Sequence, residues 1–578
     1  MDPLTDDPKA SASRWQKDSK SNNISSSCSL LLHGGLTQLV LSLSIDPIHR
    51  TIFLPDQLNI TTREADTMAG SKMRAVNPIV PGFAPDPSIC QIGDTFYLVN
   101  SSFHLFPRLP LYSSKDLVSF THFGNAINRT TQLALKGSTT LLNTGDNGEP
   151  MLATGGLFAP TIRHYKGVTY IFCTNAIRDP PNSRKENFFV RTDDILSGNW
   201  SDPIYFAYSS IDPSVFIDDD GKAYVQGCTN DSQILCFEID LNTGETLSEH
   251  VTIWPGWNKL YTEGAHIYKK DGWYYLLAAE GGTFEQHMVS MARAKTIFGP
   301  YESYENNPIY TAYQTNNYVQ HTGHADLFQD ASGEWKVVML GVRKRDGRFI
   351  MGRETFLADA EWPEGGWPAV KPTGLEDGAI FETSTRSQLN TVPGVDWVYL
   401  RDPYTDKYHI DGANVRVTAT TVPLTSPTES PTFIGKRQRS LDGSCTVNVS
   451  VPASTDGTPL KAGLALHKDE HRFITLEVDF ASKQVSFNFL NKAKDITRST
   501  TCDVPLKEKD VLSLKCSYTE TSYEFSYKTN PDGTWETVGK VDTLDMCGYD
   551  YIGPIFGIFA IGEGGEVAFE DFAVDKIE

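Results

Sequence analysis

The sequence predicts an all-β protein: a five-bladed β-propeller followed by a C-terminal β-sandwich of the jelly-roll type. Three observations carry that expectation. One strand–turn–strand layout returns five times between Asn77 and about Gly374. No long amphipathic helix interrupts that region. Beyond about Gln388 the strand-like runs alternate strictly between apolar and polar residues, as two packed antiparallel sheets require. At 578 residues the chain is too long for one core, so more than one domain is expected.

The five copies are FAPDPSICQIGDTFYLVN from Phe83, LFAPTIRHYKGVTYIFCT from Leu157, IDPSVFIDDDGKAYVQGC from Ile211, TEGAHIYKKDGWYYLLAAE from Thr262 and TGHADLFQDASGEWKVVML from Thr322. Each opens on small, Pro, Asp or Gly residues and runs into a short apolar strand. A turn centred on Gly93, Gly167, Gly221, Gly272 or Gly333 then leads to an aromatic-rich second strand. A period of roughly 50–75 residues, with about four short strands in each unit, is that of propeller blades. In the first copy Pro85 and Pro87 fix φ and remove backbone donors, so Asp86 sits on a stiff lead-in to a sheet edge. The innermost strand of each blade lines the central channel, so the lead-ins converge on one mouth of the bore. They bring Asp86, Pro160–Thr161, Asp212, Glu263 and His324 together.

The propeller is placed at 73–387 and the sandwich at 388–578. The boundary is a composition change, the Thr/Pro/Ser-rich stretch that includes TVPLTSPTESPTF from Thr421. Alternating runs follow at Cys445–Val451, Arg472–Phe480, Gln484–Leu490, Val511–Tyr518 and Tyr523–Thr529. Residues 1–72 read as a disordered leader or as a start assigned too early. Their apolar run Leu30–Ile45 is interrupted by His33 and Gln38 and falls short of the ~20 residues of a membrane-spanning helix. No signal peptide is evident, so the chain reads as cytoplasmic as written and as secreted if its true start differs.

A net charge of −21 argues against nucleic acid and anionic membranes as partners and suits a protein acting on small neutral molecules. The 9 cysteines show neither CxxC nor zinc-ligand spacing. Cys90, Cys173, Cys228 and Cys236 lie in apolar runs and read as small buried residues, while one disulfide among Cys445, Cys502, Cys516 and Cys547 stays open. Neither a Gly-rich phosphate loop nor a Ser/His/Asp motif in its usual setting occurs, so no redox or nucleotide cofactor is expected.

Three acids at matching strand ends suit acid–base cleavage of a glycosidic bond. Inversion needs one carboxylate to activate water and a protonated carboxyl to serve the leaving oxygen, roughly 6.5–9.5 Å apart. A third acid nearby raises the pKa of the donor. At these residues NPIVPGFAPDPSI, SSIDPSVFIDDDGKAYV, YTEGAHIYKKDGWYYLL, TGHADLFQDASGEW and MGRETFL resemble the motifs of glycoside hydrolase family 43. The resemblance is to its β-xylosidase and α-L-arabinofuranosidase members with a C-terminal concanavalin-like sandwich, and it spans about 77–578.

That resemblance implies an exo-acting, inverting enzyme that removes terminal β-D-xylosyl or α-L-arabinofuranosyl units from plant-wall oligosaccharides. It implies Asp86 as general base, Glu263 as general acid and Asp212 as the acid that orients Glu263 and tunes its pKa. Arg353 matches the arginine that binds the terminal sugar. His324 matches a bore-facing histidine near which an ion, such as calcium, sits with its waters, and His287 a pocket-lining histidine. A calcium ion in the bore or sandwich is the one metal expected, and no cofactor is required for the reaction. Phe158 stands where the family commonly has tryptophan, and Phe103, His104 and Phe106 fall where it has an aromatic pair, so the sugar-contacting wall departs from the pattern. The rival readings are a non-catalytic carbohydrate-binding protein and an endo-arabinanase-like hydrolase.

Overall fold

A computed structural model describes residues 77–145, 147–371, 389–452, 459–530 and 532–576. The leader expected at 1–72 lies outside the described residues, and the expected boundary at 387/388 falls at the edge of the undescribed stretch 372–388.

The fold is all-β. Five sheets, antiparallel except for the Asn390–Thr391 strand added to the first, follow one another, opened by the strands Ser88–Ile92, Gly156–Tyr165, Ser214–Ile217, Glu263–Lys270 and Val319–Gln329. Each opening strand touches those of its neighbours, and the fifth returns against the first, so the five close a ring compatible with five blades. The turn glycines all adopt positive φ, from 62° to 90°, where an L side chain is disfavoured. In Lys166–Gly167 and Asp271–Gly272 both loop residues have positive φ, the two-residue turn whose twist matches that of its flanking strands. The ring is also tied by its ends, since Val80 pairs with Thr355 of the last sheet.

Polar groups from four opening strands fill the bore. The Asp326 carboxylate accepts from Ser88 Oγ (2.7 Å), Ile89 N (3.2 Å), Tyr268 OH (2.8 Å) and both Nη atoms of Arg163 (2.8 and 3.1 Å). Arg163 Nη2 also meets His266 Nδ1 at 3.1 Å. Burial alone would raise the Asp326 pKa, but the Arg163 charge and these donors hold it well below the usual range.

The C-terminal part pairs a seven-stranded with a six-stranded antiparallel sheet, as the alternation predicts. In Gln484–Asn491 every second residue is buried, with Val485, Phe487 and Phe489 entering the core between the sheets. Cys445 lies opposite Cys516 in neighbouring strands, yet Cys445, Cys502, Cys516 and Cys547 are all free thiols, so the disulfide left open is absent.

Three short pairings join the residues beyond 388 to the propeller, the first being Asn390–Thr391, which runs parallel to Thr121–His122. Tyr399–Leu400 pairs with Leu105–Phe106, and Tyr549–Asp550 runs parallel to Met151–Leu152 of a propeller hairpin. Between these contacts lies a buried ionic network. Arg401 meets Glu470 at 3.2 Å, and Asp550 accepts from Lys468 (2.8 Å) and Arg472 (2.7 Å).

Replacing one member of a buried ion pair leaves the other uncompensated, at a cost of about 3–5 kcal/mol. Arg163→Met is therefore expected to lower the thermal unfolding midpoint by several degrees, read by calorimetry. An unchanged midpoint would show that the bore ion pair contributes nothing net.

Candidate active site

The pocket is built at one backbone position that repeats around the ring. Asp86, Ala159, Asp212, Gly264 and His324 each lie two residues before Ser88, Thr161, Ser214, His266 and Asp326, and each has a left-handed φ (53°, 41°, 58°, 58° and 45°). In three copies this residue lies in a register shift of the opening strand, between Phe158 and Thr161, Glu263 and His266, and Gly323 and Asp326. Such a bulge breaks the in/out alternation, so adjacent side chains can face the same way. The three acids are thus not quite equivalent, which corrects the reading that they share one repeat position. Asp86 and Asp212 occupy the left-handed position, whereas Glu263 stands one residue earlier, level with Phe158. Gly264 fills the left-handed slot in that copy because a Cβ there would come within 2.9 Å of the His324 ring.

All three acids line one cavity of about 730 Å³, with Phe103, Phe158, His287, His324 and Arg353. Asp86 Oδ2 accepts from Ser101 Oγ (2.6 Å) and Oδ1 from Arg353 Nη1 (3.0 Å), with His324 Nδ1 at 3.9 Å. Burial alone would push this carboxyl up, but Arg353, His324 and the Ser101 hydroxyl together pull it below its ordinary value. Glu263 has no such donor among the described residues. Burial and the nearby Asp86 charge push it up to about 7, against a smaller opposing pull from Arg353. Asp212 is raised well above its ordinary value by burial, then by Glu263 and Asp86, although the Gly264 N–H favours its ionised form. Below about pH 7 the pocket therefore pairs an ionised Asp86 with carboxyls whose protons are favoured by their surroundings.

Arg353 is largely engaged by protein. Its Nη1 also donates to Thr283 Oγ1 (3.1 Å), and Nε and Nη2 donate to the Tyr551 carbonyl (3.3 and 3.0 Å). Phe103 and Phe158 pack at 4.7 Å between ring centroids, and Tyr551 joins them at 6.1 and 6.5 Å. His287 donates through Nδ1 to the His321 carbonyl (3.0 Å), while its buried Nε2 has no hydrogen-bond partner among the described residues.

One expectation is corrected. His104 and Phe106 do not line the pocket. His104 is buried against His467, and Phe106 belongs to the sandwich core, because the strand after Phe103 pairs with Tyr399–Leu400. Calcium prefers several oxygen ligands, and the bore offers few direct ones. Asp326, its buried carboxylate, is already paired with the Arg163 guanidinium, and His324 and His266 offer only nitrogen. Among the described residues no group of three or more His, Cys, Asp or Glu could hold a metal ion.

Sequence reasoning missed Ser101, Thr283, Arg178, Tyr549 and Tyr551, all of which orient or line the site. Arg178 lies 5.6 Å from the ring centroids of both Phe158 and Tyr551. None of these five has a repeat position or motif to mark it, and the tyrosines come from the other end of the chain.

A pocket that combines a carboxyl held toward its ionised form, carboxyls held toward their neutral form and aromatic walls suits acid–base hydrolysis of a glycosidic bond, and the family match makes the chain an O-glycosyl hydrolase. The chain belongs to glycosyl hydrolases family 43, which residues 75–368 match, and residues 390–575 match the beta xylosidase C-terminal concanavalin A-like domain. It is 32% identical over 506 residues to a non-reducing end alpha-L-arabinofuranosidase of Bacteroides ovatus, covering 84% of this chain and 91% of that protein. It is 42% identical over 314 residues to a xylosidase/arabinosidase of Butyrivibrio fibrisolvens, covering 52% of this chain and 56% of that protein. Among solved structures it resembles a xylan beta-1,4-xylosidase from Bacillus halodurans, with a TM-score of 0.74, 26% identity and 86% of this chain and 99% of that one covered.

Gly264→Ala would press a methyl group on the His324 ring and strain the backbone beside Glu263. It is expected to cost about 10²-fold in kcat and to lower the thermal midpoint by a few degrees, with the protein still folded at the assay temperature. Retention of full kcat would show that this close approach does not set the geometry of Glu263.

Proposed function

We propose that this family 43 hydrolase releases single β-D-xylosyl or α-L-arabinofuranosyl units from the non-reducing ends of short plant-wall oligosaccharides, with inversion. The observation that carries the reading is the opposite electrostatic treatment of Asp86 and Glu263 in one pocket. Asp86 takes a proton from water as the water oxygen bonds to the anomeric carbon. Glu263 gives its proton to the leaving oxygen as that bond breaks. Burial and the Asp86 charge keep Glu263 protonated, and Asp212 orients it, adding its own repulsion whenever it is ionised. Arg353 holds Asp86 in line, and its remaining Nη2 hydrogen serves a sugar hydroxyl. Phe103, Phe158 and Tyr551 offer the sugar an apolar wall. The aromatic wall contributed by the sandwich supports an exo mode, because it closes a side along which a polymer would otherwise pass. The relatives named for arabinofuranosidase and xylosidase activity support the choice of sugars.

Release of p-nitrophenol from the β-D-xylopyranoside and the α-L-arabinofuranoside tests this and ranks the two sugars. Glu263→Gln is expected to lower turnover by about 10²–10⁴-fold. The parent's kcat/KM should fall as pH rises through about 7, where Glu263 loses its proton. On the acid side it should hold until below the ordinary aspartate value of about 4, because Asp86 stays ionised there. Silence on both glycosides from a folded protein would overturn the reading and favour a binding protein or an endo-acting hydrolase.

We propose further that the three acids carry the chemistry without a metal step, since Asp326, the buried carboxylate of the bore, is already paired with Arg163. Dialysis against EDTA should change kcat/KM by less than about twofold. A loss restored by calcium chloride would overturn this.

A further inference from the structure

We propose that Asp550, a buried carboxylate of the sandwich, is a positioning residue for the propeller's active site, acting through the Tyr551–Ile552 peptide and Arg353. The inference rests on the glycosidase reading above. One planar peptide unit carries it. Its N–H, that of Ile552, donates to Asp550 Oδ1 at 3.2 Å, and its C=O, that of Tyr551, accepts from Arg353 Nε and Nη2 at 3.3 and 3.0 Å. A peptide group is rigid, so fixing the N–H aims the carbonyl.

The carboxylate at the far end is itself immobile. Asp550 Oδ2 is held by Lys468 at 2.8 Å and by Arg472 at 2.7 Å, and Arg472 is braced in turn by Asp469 at 3.1 Å. All four side chains are at most 3% exposed. At the near end, the Tyr551 carbonyl takes two of the five guanidinium hydrogens of Arg353, and the Nη1 hydrogens go to Asp86 and Thr283. A guanidinium is planar, so its edge on the carbonyl sets the direction in which Nη1 meets Asp86. The sandwich thus fixes the plane of the arginine that aligns the proposed base, besides walling the pocket.

The test is a double-mutant cycle, read as kcat on whichever p-nitrophenyl glycoside the parent cleaves better. Asp550→Ala alone leaves two buried cations facing each other, so it is combined with Lys468→Met, which keeps Arg472 paired with Asp469. Asp550→Asn is the milder second variant. With Arg353 present, the combined variant is expected to lose about tenfold or more in kcat, and Asp550→Asn a smaller factor in the same direction. In an Arg353→Ala background the same changes should alter kcat by less than about twofold, because the route from Asp550 to Asp86 is already cut. Equal losses in both backgrounds, with thermal midpoints showing folded protein, would overturn the relay and leave the glycosidase reading standing. A parent protein silent on both glycosides would overturn the two together.

Discussion

Everything at the active site depends on one backbone constraint, the left-handed residue at the same point of each opening strand. Glycine tolerates that conformation, but Asp86, Ala159, Asp212 and His324 do not favour it, and such strain costs of order 1–3 kcal/mol per residue. The ring sustains it because the neighbouring strands are tied to one another two to four residues later, through Ser88, Arg163, His266 and Asp326. Without the turn, the side chains of successive residues would alternate between the bore and the blade. With it, Phe158 and Glu263 face the same cavity as Asp86, Asp212 and His324.

On that frame, chemically similar groups are made to differ. Asp86 and Asp212 have the same residue type, nearly the same φ and similar burial. Their surroundings separate them. Asp86 receives a guanidinium and a hydroxyl and is stabilised as an anion, whereas Asp212 faces two other carboxyl groups and is pushed toward its neutral form. Glu263, without a cationic hydrogen-bond partner, follows Asp212 upward. The allocation of proposed base and proposed acid is thus a matter of who the neighbours are, not of which acid is which.

The sandwich belongs to the same electrostatic unit. Its Tyr549 hydroxyl reaches Glu285 of the propeller loop that also carries Thr283, and its Tyr551 carbonyl reaches Arg353. The ionic network around Asp550 lies directly behind these contacts, which explains why so many charges are buried where the two parts meet. Replaced by apolar residues, that interface would be no less stable in principle, but it would lose the directional bonds that orient a guanidinium.

Periodicity made a large part of this legible in the chain itself. Turn glycines, apolar second strands and the strict alternation of Gln484–Leu490 are local properties, enforced by φ and by the two-residue period of a strand. They determine an all-β chain whose lead-ins carry Asp86, Asp212, Glu263 and His324 to a common place. The acidic balance and the family motifs narrowed the chemistry to sugars on the same local basis. Tertiary structure alone decided the rest. The one-residue offset of Glu263 comes from a bulge that only pairing with the next strand reveals, and the turning of His104 and Phe106 away from the pocket comes from a strand that pairs with Tyr399–Leu400. Tyr551, some two hundred residues beyond Arg353, meets it through a main-chain carbonyl, a group every residue carries and no side-chain pattern can mark. What repeats along the chain follows from local stereochemistry; which groups share a proton or a guanidinium follows from distances that exist only once the ring and the sandwich have closed on each other.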